Sequence, residues 1–150
     1  MPDTLISQFG HHHPDAAYTL RPGGYAVIVS ERGEVAVVLV NGRGFLPGGG
    51  QEAGESPEHA AVREAREECG LSIRLGQPIG VADELIHARA EGRRYRKRGT
   101  FFRAEVVSHE PREGEADHRL VWLPPAQAII ALHHESQRWA VRQAINPAAR

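Results

Sequence analysis

A run of glycines followed by a helix with clearly marked ends constrains the fold of this chain more than any other feature. Gly48, Gly49 and Gly50 are consecutive, and we expect an irregular loop there because glycine weakens the interior of strands and helices. Ser56 suits the N-cap of the helix that follows, and Pro57 suits its first turn. Because Gly70 suits the position just past the C-terminus, the sequence predicts a glycine loop leading into a helix over 57–69.

The predicted helix carries an acidic stripe. At about 100° per residue, Glu64, Glu67 and Glu68 share one narrow face of the helix. A solvated, salt-bridged helix would place a basic residue four positions beyond each glutamate, but that position after Glu64 is Glu68. Along the helix, Arg63 alone offers compensation, one turn before Glu67. Carboxylate oxygens on one face suit Mg²⁺ or Mn²⁺, so the stripe predicts a divalent-metal site. The remaining face, which we expect to pack on the core, carries Ala61, Val62, Ala65 and Cys69.

The segment 49–71 resembles the Nudix box, written G-x5-E-x7-R-E-U-x-E-E-x-G-U with U an aliphatic residue. The matching residues are Gly49, Glu55, Arg63, Glu64, Glu67, Glu68, Gly70 and Leu71. Ala65 is smaller than the usual aliphatic residue at the first U position. The resemblance implies an α/β protein with the Nudix fold, an α/β/α sandwich with a central mixed β-sheet. It also implies a Nudix pyrophosphohydrolase, an enzyme that hydrolyses acid anhydrides.

The resemblance further implies a role for individual residues. Glu64, Glu67 and Glu68 would bind Mg²⁺ or Mn²⁺ and would be the catalytic residues, joined by the backbone carbonyl of Gly48. Arg63 and Glu55 would form an ion pair that positions the loop containing Gly49. Glu67 or Glu68 would accept the proton of the attacking water. Some family members take this base from a later loop, where the candidates are Glu113, Glu115 and Asp117.

The flanking segments predict strands and two further helices. We expect a hairpin from 25–30 and 35–40, strands over 71–88, 101–107 and 118–123, a short helix over 126–132 and an amphipathic helix over 135–145. In the last helix, Trp139, Val141 and Ile145 would face the sheet. We interpret 1–20, with its solvated histidines 11–13, as a partly ordered lead-in. Residues 21–150 are interpreted as a single Nudix hydrolase domain.

The basic segment over 89–98 has two interpretations, so it does not determine the substrate. Arg94, Arg96 and Arg98, with Tyr95 between them, are candidates for substrate binding, because arginine pairs with phosphate and tyrosine stacks on bases. The alternative is an exposed hairpin tip without a ligand. Residues 84–88 contain neither the proline nor the tyrosine that mark two known subgroups of the family, so the subgroup stays undetermined.

Composition narrows the function classes. The formal net charge of −1 gives no global attraction to nucleic acid or anionic membranes, and no apolar run approaches the roughly 20 residues of a membrane helix. Cys69 is the single cysteine, so an intramolecular disulfide is excluded and a cytoplasmic location is expected. Its place on the core face also argues against the related isoprenoid diphosphate isomerases, which need a catalytic cysteine.

The first hypothesis is a metal-dependent hydrolase that cuts a phosphoanhydride bond in a nucleoside diphosphate linked to another moiety. The alternatives are an RNA 5′-end pyrophosphohydrolase and a non-catalytic Nudix-like nucleotide-binding module. The expected partner is a small-molecule nucleotide, RNA is an unsupported alternative, and a homodimer stays open because family members are often dimers.

Overall fold

The computed structural model describes residues 5–110 and 117–146. Its strands are β1 Ile6–Phe9, β2 Thr19–Ile28, β3 Val35–Val40, β4 Arg43–Phe45, β5 Gly48–Gly50, β6 Leu71–Ala88, β7 Arg93–His109 and β8 His118–Leu123. Its α-helices are α1 Pro57–Cys69, α2 Pro125–Ala131 and α3 Glu135–Ile145. The predicted helix over 57–69 is confirmed at both ends, and the strand over 118–123 and the helix over 135–145 are also confirmed.

The strands form two sheets between layers of helix. One is a five-stranded mixed sheet in the order β1-β6-β7-β2-β5, and the other is a three-stranded antiparallel sheet in the order β4-β3-β8. Buried residues of α1, such as Ala65, pack with Ile28 and Val38 on one side of the sheets. Buried residues of α3, such as Val141, pack with Val27 on the other side. The predicted α/β/α sandwich with a mixed sheet is therefore confirmed, with the sheet layer divided into two parts.

The predicted hairpin between 25–30 and 35–40 is wrong as a strand pairing. The turn itself forms, since the amide of Ser30 donates to the carbonyl of Glu34 at 2.8 Å and Gly33 has a φ of 78°. The two strands then separate, because β2 pairs with β7 and β5 while β3 pairs with β4 and β8. Only an isolated bridge between Val29 and Val35 joins them in the described part of the chain.

The expectation of an irregular glycine loop is also wrong. Gly48–Gly50 forms β5, which pairs antiparallel with β2 so that Gly23 lies opposite Gly50 and Gly24 opposite Gly49. Side chains would prevent this close pairing, because a Cβ on Gly23 would lie 2.6 Å from the carbonyl oxygen of Gly49. Glycine lacks strand propensity, but here it is the residue type that lets two backbones and a helix converge.

The basic segment lies mostly within a long β6–β7 hairpin. A 3-10 turn over Arg89–Glu91 and Gly92 make its tip, and β7 begins at Arg93, eight positions before the predicted strand at Phe101. In the last helix Val141 is buried and Trp139 is half-buried, as expected, but Ile145 is 43% exposed and does not face the sheet.

Within the lead-in, β1 pairs in parallel with β6, and the three histidines beyond it are exposed. The division between this lead-in and the domain stays a prediction. No helix in the described ranges is both long enough and apolar enough to span a membrane.

Candidate active site

Glycines of the first sheet allow α1 to start directly above the backbone of β2. A Cβ on Gly24 would lie 1.9 Å from the carbonyl oxygen of Pro57 and 3.1 Å from the amide nitrogen of Ala61. The helix is fixed at this end because the Ser56 hydroxyl accepts a hydrogen bond from the His59 amide at 3.0 Å. At the other end Gly70 has a left-handed φ of 68°, and its amide donates to carbonyls of the last turn. Both ends of the acidic helix are therefore set by local sequence.

Arg63 joins the loop before α1 to the helix. Its Nε and Nη2 donate to the two carboxylate oxygens of Glu55 at 2.8 and 2.9 Å, and Nη2 also donates to the carbonyl of Gly50 at 3.1 Å. The two side chains are only 18% and 5% exposed. The hydrogen bonds from Arg63, followed by one from the Glu52 amide, lower the pKa of Glu55 to about 2. This geometry supports the predicted positioning role of the Arg63–Glu55 pair.

Arg63 also compensates part of the acidic stripe. Its Nη1 donates to Glu64 Oε1 and to Glu67 Oε2, both at 3.1 Å. The stripe is therefore better balanced than the sequence spacing alone suggests, because one guanidinium group contacts two of its three carboxylates. Glu68 lies outside this contact. Its Oε1 accepts the amide of Gly48 at 3.0 Å, and its Oε2 lies 3.7 Å from Nε2 of His118.

The glycine strand brings backbone close to the stripe. Gly48 meets Glu68 through its amide N–H, whereas its predicted contribution was its carbonyl. A Cβ on Gly49 would lie 2.8 Å from Glu64 Oε1, so only glycine leaves this carboxylate in place. Glu64 and Glu68 are 20% and 12% exposed, and Glu67 is 50% exposed. The stripe therefore runs from solvent at Glu67 inward to Glu68.

The donor set fits a divalent cation in its chemistry. In the described ranges, no three acidic, histidine or cysteine side chains already converge as they would around an ion. The carboxylates are hard oxygen donors of the kind that Mg²⁺ and Mn²⁺ prefer. The field at the site is also negative despite Arg63: burial first, and then the charges of Glu68 and Glu64, raise the pKa of Tyr25 to about 12. A cation bound by Glu64, Glu67 and Glu68 would relieve that field.

Glu68, at the inner end of the acidic stripe, lines a cavity of about 490 Å³. Glu68 and the glycines of β5 form one wall, and the aromatic rings of Tyr25, Phe45 and His134 line it as well. Its cationic residues are Arg21 and Lys97. Burial, followed by the charges of Lys97 and other nearby basic groups, lowers the pKa of His134 to about 4, so this imidazole is neutral at pH 7. The cavity therefore combines an acidic end, an aromatic surface and two cations.

Sequence reasoning missed four of these cavity residues: Arg21, Tyr25, Phe45 and His134. They lie outside the box, on elements that only the fold brings together. A further cavity residue, Lys97, is the only lysine in the sequence and belongs to the basic segment for which phosphate binding is one of the two interpretations.

The residues predicted for substrate binding contact the protein itself. Arg96 and Arg98 form ion pairs with Asp83, at 3.0 and 2.9 Å, and Asp83 is only 2% exposed. Tyr95 is buried, donates to Glu91, and lies beneath the guanidinium of Arg21, 4.6 Å from its ring centroid. Arg94 is half-buried on the same strand. These four residues therefore do not form an exposed tip.

Two of the three candidate bases of the later loop lie outside the residues that the structure describes. Glu113 and Glu115 lie outside the described residues, and Asp117 is exposed.

An α/β/α fold with an acidic helix over a glycine strand defines a class, that of the Nudix-fold domains. The NUDIX domain family model matches residues 19–144. The chain therefore belongs to the Nudix hydrolase family, which confirms the resemblance seen in the box and the prediction of a Nudix enzyme.

Known proteins resemble this chain to different extents. Over 60 residues it is 45% identical to diphosphoinositol polyphosphate phosphohydrolase 3-alpha of Mus musculus, a match that covers 37% of this chain and 36% of that protein. The chain thus spans about a third of the length of this curated relative.

Two solved structures share the fold. A NUDIX hydrolase from Nitrosomonas europaea has a TM-score of 0.69 and 22% identity, covering 86% of this chain and 90% of that one. A C. elegans Ap4A hydrolase has a TM-score of 0.68 and 17% identity, covering 86% and 98%.

Proposed function

We propose that this chain is a divalent-metal-dependent hydrolase that cleaves a phosphoanhydride bond in a nucleoside diphosphate linked to another moiety. The observation that supports it most is the placement of Glu64 and Glu68 against β5, with Glu68 in the wall of a cavity that also holds two cations and an aromatic surface. Phosphates of a substrate would meet the cations, and a nucleobase would pack on the rings.

The residues of the stripe have separate tasks in this proposal. Glu64, Glu67 and Glu68 would hold Mg²⁺, or Mn²⁺ in its place, and the bound ion would supply charge neutralisation of the phosphates and activation of water. Glu67 or Glu68 would accept the proton of the attacking water. Arg63 keeps Glu64 and Glu67 in position through its two 3.1 Å contacts and anchors the loop through Glu55. Burial of Glu68 in the cavity wall limits its access to bulk water.

The names of the relatives differ in the substrate, so the substrate class is inferred from the residues that line the cavity. Their names specify a diphosphoinositol polyphosphate in one case and Ap4A in the other. The rings of Tyr25, Phe45 and His134 favour a nucleoside. The RNA 5′-end alternative loses support, because Arg96 and Arg98 are both held by the buried carboxylate of Asp83. A cytoplasmic location and a homodimer stay predictions from the sequence.

Turnover on a panel of nucleotides tests the proposal. The purified protein is assayed with Mg²⁺, with Mn²⁺ and with EDTA on nucleoside triphosphates, nucleotide sugars, ADP-ribose, dinucleotides and capped or triphosphorylated RNA. We expect metal-dependent release of a nucleoside monophosphate. Glu67→Gln and Glu68→Gln should each lower kcat on the order of 100-fold or more, the scale of general acid–base catalysis. Glu58→Gln is the matched control, because Glu58 lies exposed in the first turn of the same helix.

Three results would contradict the proposed function or favour one of its alternatives. Folded protein without turnover on the whole panel with either metal would contradict the hydrolase. Nucleotide binding that persists in Glu67→Gln and Glu68→Gln, with an inactive parent, would identify a non-catalytic binding module. Cleavage of triphosphorylated RNA in preference to small nucleotides would restore the RNA alternative.

A further inference from the structure

Arg21 and Lys97 are two exposed cations that lie side by side on neighbouring strands. They lie opposite each other in the parallel pairing of β2 with β7, and both line the cavity. Like charges placed directly opposite one another destabilise a sheet. The charge of Arg21 contributes, after desolvation of the ammonium group by the surrounding protein, to a lowered pKa of Lys97. An anion between the two groups would reverse both effects.

The neighbouring cations of the same strand are paired with a carboxylate of the protein. Arg96 and Arg98 share the buried carboxylate of Asp83. Within the described residues, no carboxylate forms an ion pair with Arg21 or Lys97, and Arg21 stacks on the ring of Tyr95 instead. Glu84 lies opposite Lys97 in register and attracts it, but its Oε1 accepts the amide of Ser136 at 2.8 Å, at the start of α3.

The two cations lie between two cavities. The cavity of about 490 Å³ contains Glu68, and a second cavity of about 300 Å³ is lined by Arg21, Lys97, Ile86, Ala88, Glu91 and Tyr95. Arg21 and Lys97 line both, whereas Glu68 lines only the first. On β2, Arg21 lies four residues before Tyr25, which pairs with Gly48. At 3.3 Å per residue, the backbones of Arg21 and Tyr25 are roughly 13 Å apart. Arg21 and Lys97 therefore start further along the sheet than the strand positions that face Glu68.

We propose that Arg21 and Lys97 form an anion site for a phosphate group of the substrate other than the two phosphates of the anhydride that is cleaved. This inference rests on the proposed function, and it narrows the substrate class to compounds with a further phosphate, either in a longer polyphosphate chain or on the second moiety. The remainder of such a substrate extends into the second cavity, over Tyr95. The guanidinium and ammonium groups together supply donors on neighbouring strands for the phosphate oxygens.

Chemical labelling tests the anion site without any catalysis. Lys97 is the only lysine, so an amine-selective acylating reagent can modify this side chain and the α-amino group alone among amines. The protein is treated in EDTA, which removes the metal from the acidic stripe, with or without inorganic tripolyphosphate at matched ionic strength. Mass spectrometry then measures acylation at each amine. We expect tripolyphosphate to protect Lys97 and not the α-amino group, and Arg21→Met to remove this protection. Equal acylation of Lys97 with and without tripolyphosphate would overturn the anion site.

Kinetics test whether the anion is a substrate phosphate. A nucleoside diphosphate sugar and a dinucleoside tetraphosphate are compared in the parent, in Lys97→Met and in Lys97→Arg. The ratio of kcat/KM for the tetraphosphate to that for the sugar should fall on the order of tenfold to a hundredfold in Lys97→Met, mainly through KM, as expected for loss of a charged hydrogen bond. Lys97→Arg should restore most of it. Arg93→Met is the matched control, because Arg93 is exposed on the same strand and the variant loses the same charge.

The two proposals fail in different ways. If the parent cleaves both substrates and Lys97→Met leaves the ratio unchanged, the hydrolase stands and the assignment of the pair to a further phosphate is overturned, with or without labelling protection. If the parent cleaves neither substrate while tripolyphosphate still protects Lys97, the anion site stands and the proposed hydrolase fails.

Discussion

Gly24→Ala probes the contact that places the acidic helix on the sheet. An added Cβ would lie 1.9 Å from the carbonyl oxygen of Pro57, 2.7 Å from its carbonyl carbon and 3.1 Å from the amide of Ala61. Ordinary van der Waals contact begins at 3.4 Å, so the first turn of α1 has to retreat by about 1.5 Å. All three atoms are backbone, and no flexible side chain can absorb the displacement.

The expected cost follows from this geometry. Overpacking a well-packed site typically costs about 1–3 kcal/mol, and a backbone clash belongs at the upper end. For a chain of this length, about 3 kcal/mol corresponds to a Tm lower by roughly 6–12 °C. Because Pro57 follows Glu55 by two residues, the same retreat should loosen the contacts of Arg63 with the loop and lower kcat.

Thermal unfolding by circular dichroism, together with turnover of the best panel substrate, measures both effects. Gly76→Ala is the matched control. Its Cβ would meet only the carbonyl of Arg103, at 3.4 Å, so the variant should be as stable as the parent or more stable by about 0.4–1 kcal/mol. A Gly24→Ala protein with the Tm and activity of Gly76→Ala would refute the packing of α1 directly on β2.

Three further predictions concern the stripe and the buried charges. Gly49→Ala should weaken Mg²⁺ activation on the order of tenfold with little change in Tm, because its methyl group meets only the flexible carboxylate of Glu64, at 2.8 Å; unchanged metal titrations of activity would contradict this. The pKa of Glu55 falls from 4.5 unfolded to about 2 folded, so its contribution to stability is present above pH 4.5 and lost as the pH falls toward 2. Glu55→Gln should therefore flatten the dependence of the urea midpoint on pH in that window, and an unchanged slope would count against the ion pair. At Asp83 burial alone would raise the pKa, but hydrogen bonds from its two arginines outweigh it and lower the pKa. Asp83→Asn should destabilise the fold by about 3–5 kcal/mol in urea unfolding, whereas Glu105→Gln, which breaks an exposed ion pair, should cost less than about 1 kcal/mol.

The elements predicted correctly are those fixed by neighbouring residues. Ser56 and Gly70 set the ends of α1 within a few positions of themselves, and the periodicity of its alanines set its buried face. The Nudix box could be identified for the same reason, since its residues lie in one continuous stretch from β5 through α1 to the first residue of β6.

The errors concern pairings between distant parts of the chain. Gly48–Gly50 is a strand because it lies against Gly23 and Gly24, which no local property of three glycines indicates. The turn at Gly33 forms as expected, yet the strands on either side take partners from elsewhere in the sequence. In the sequence, Arg96 and Arg98 resemble a phosphate-binding cluster, but in the structure both form ion pairs with Asp83. Lys97, one residue away, faces the cavity because side chains alternate along a strand.

The contacts of Arg63 have a consequence for how the protein folds. A guanidinium group already lies between Glu64 and Glu67, so repulsion within the stripe is partly relieved in the chain itself. Small zinc domains, in contrast, are unfolded until their ion binds, because nothing else holds their ligands together. Here Arg63 is an internal counterion, so we expect the helix to fold without a bound metal. If the proposed metal dependence holds, protein stripped of metal should stay folded and should regain activity when Mg²⁺ is returned.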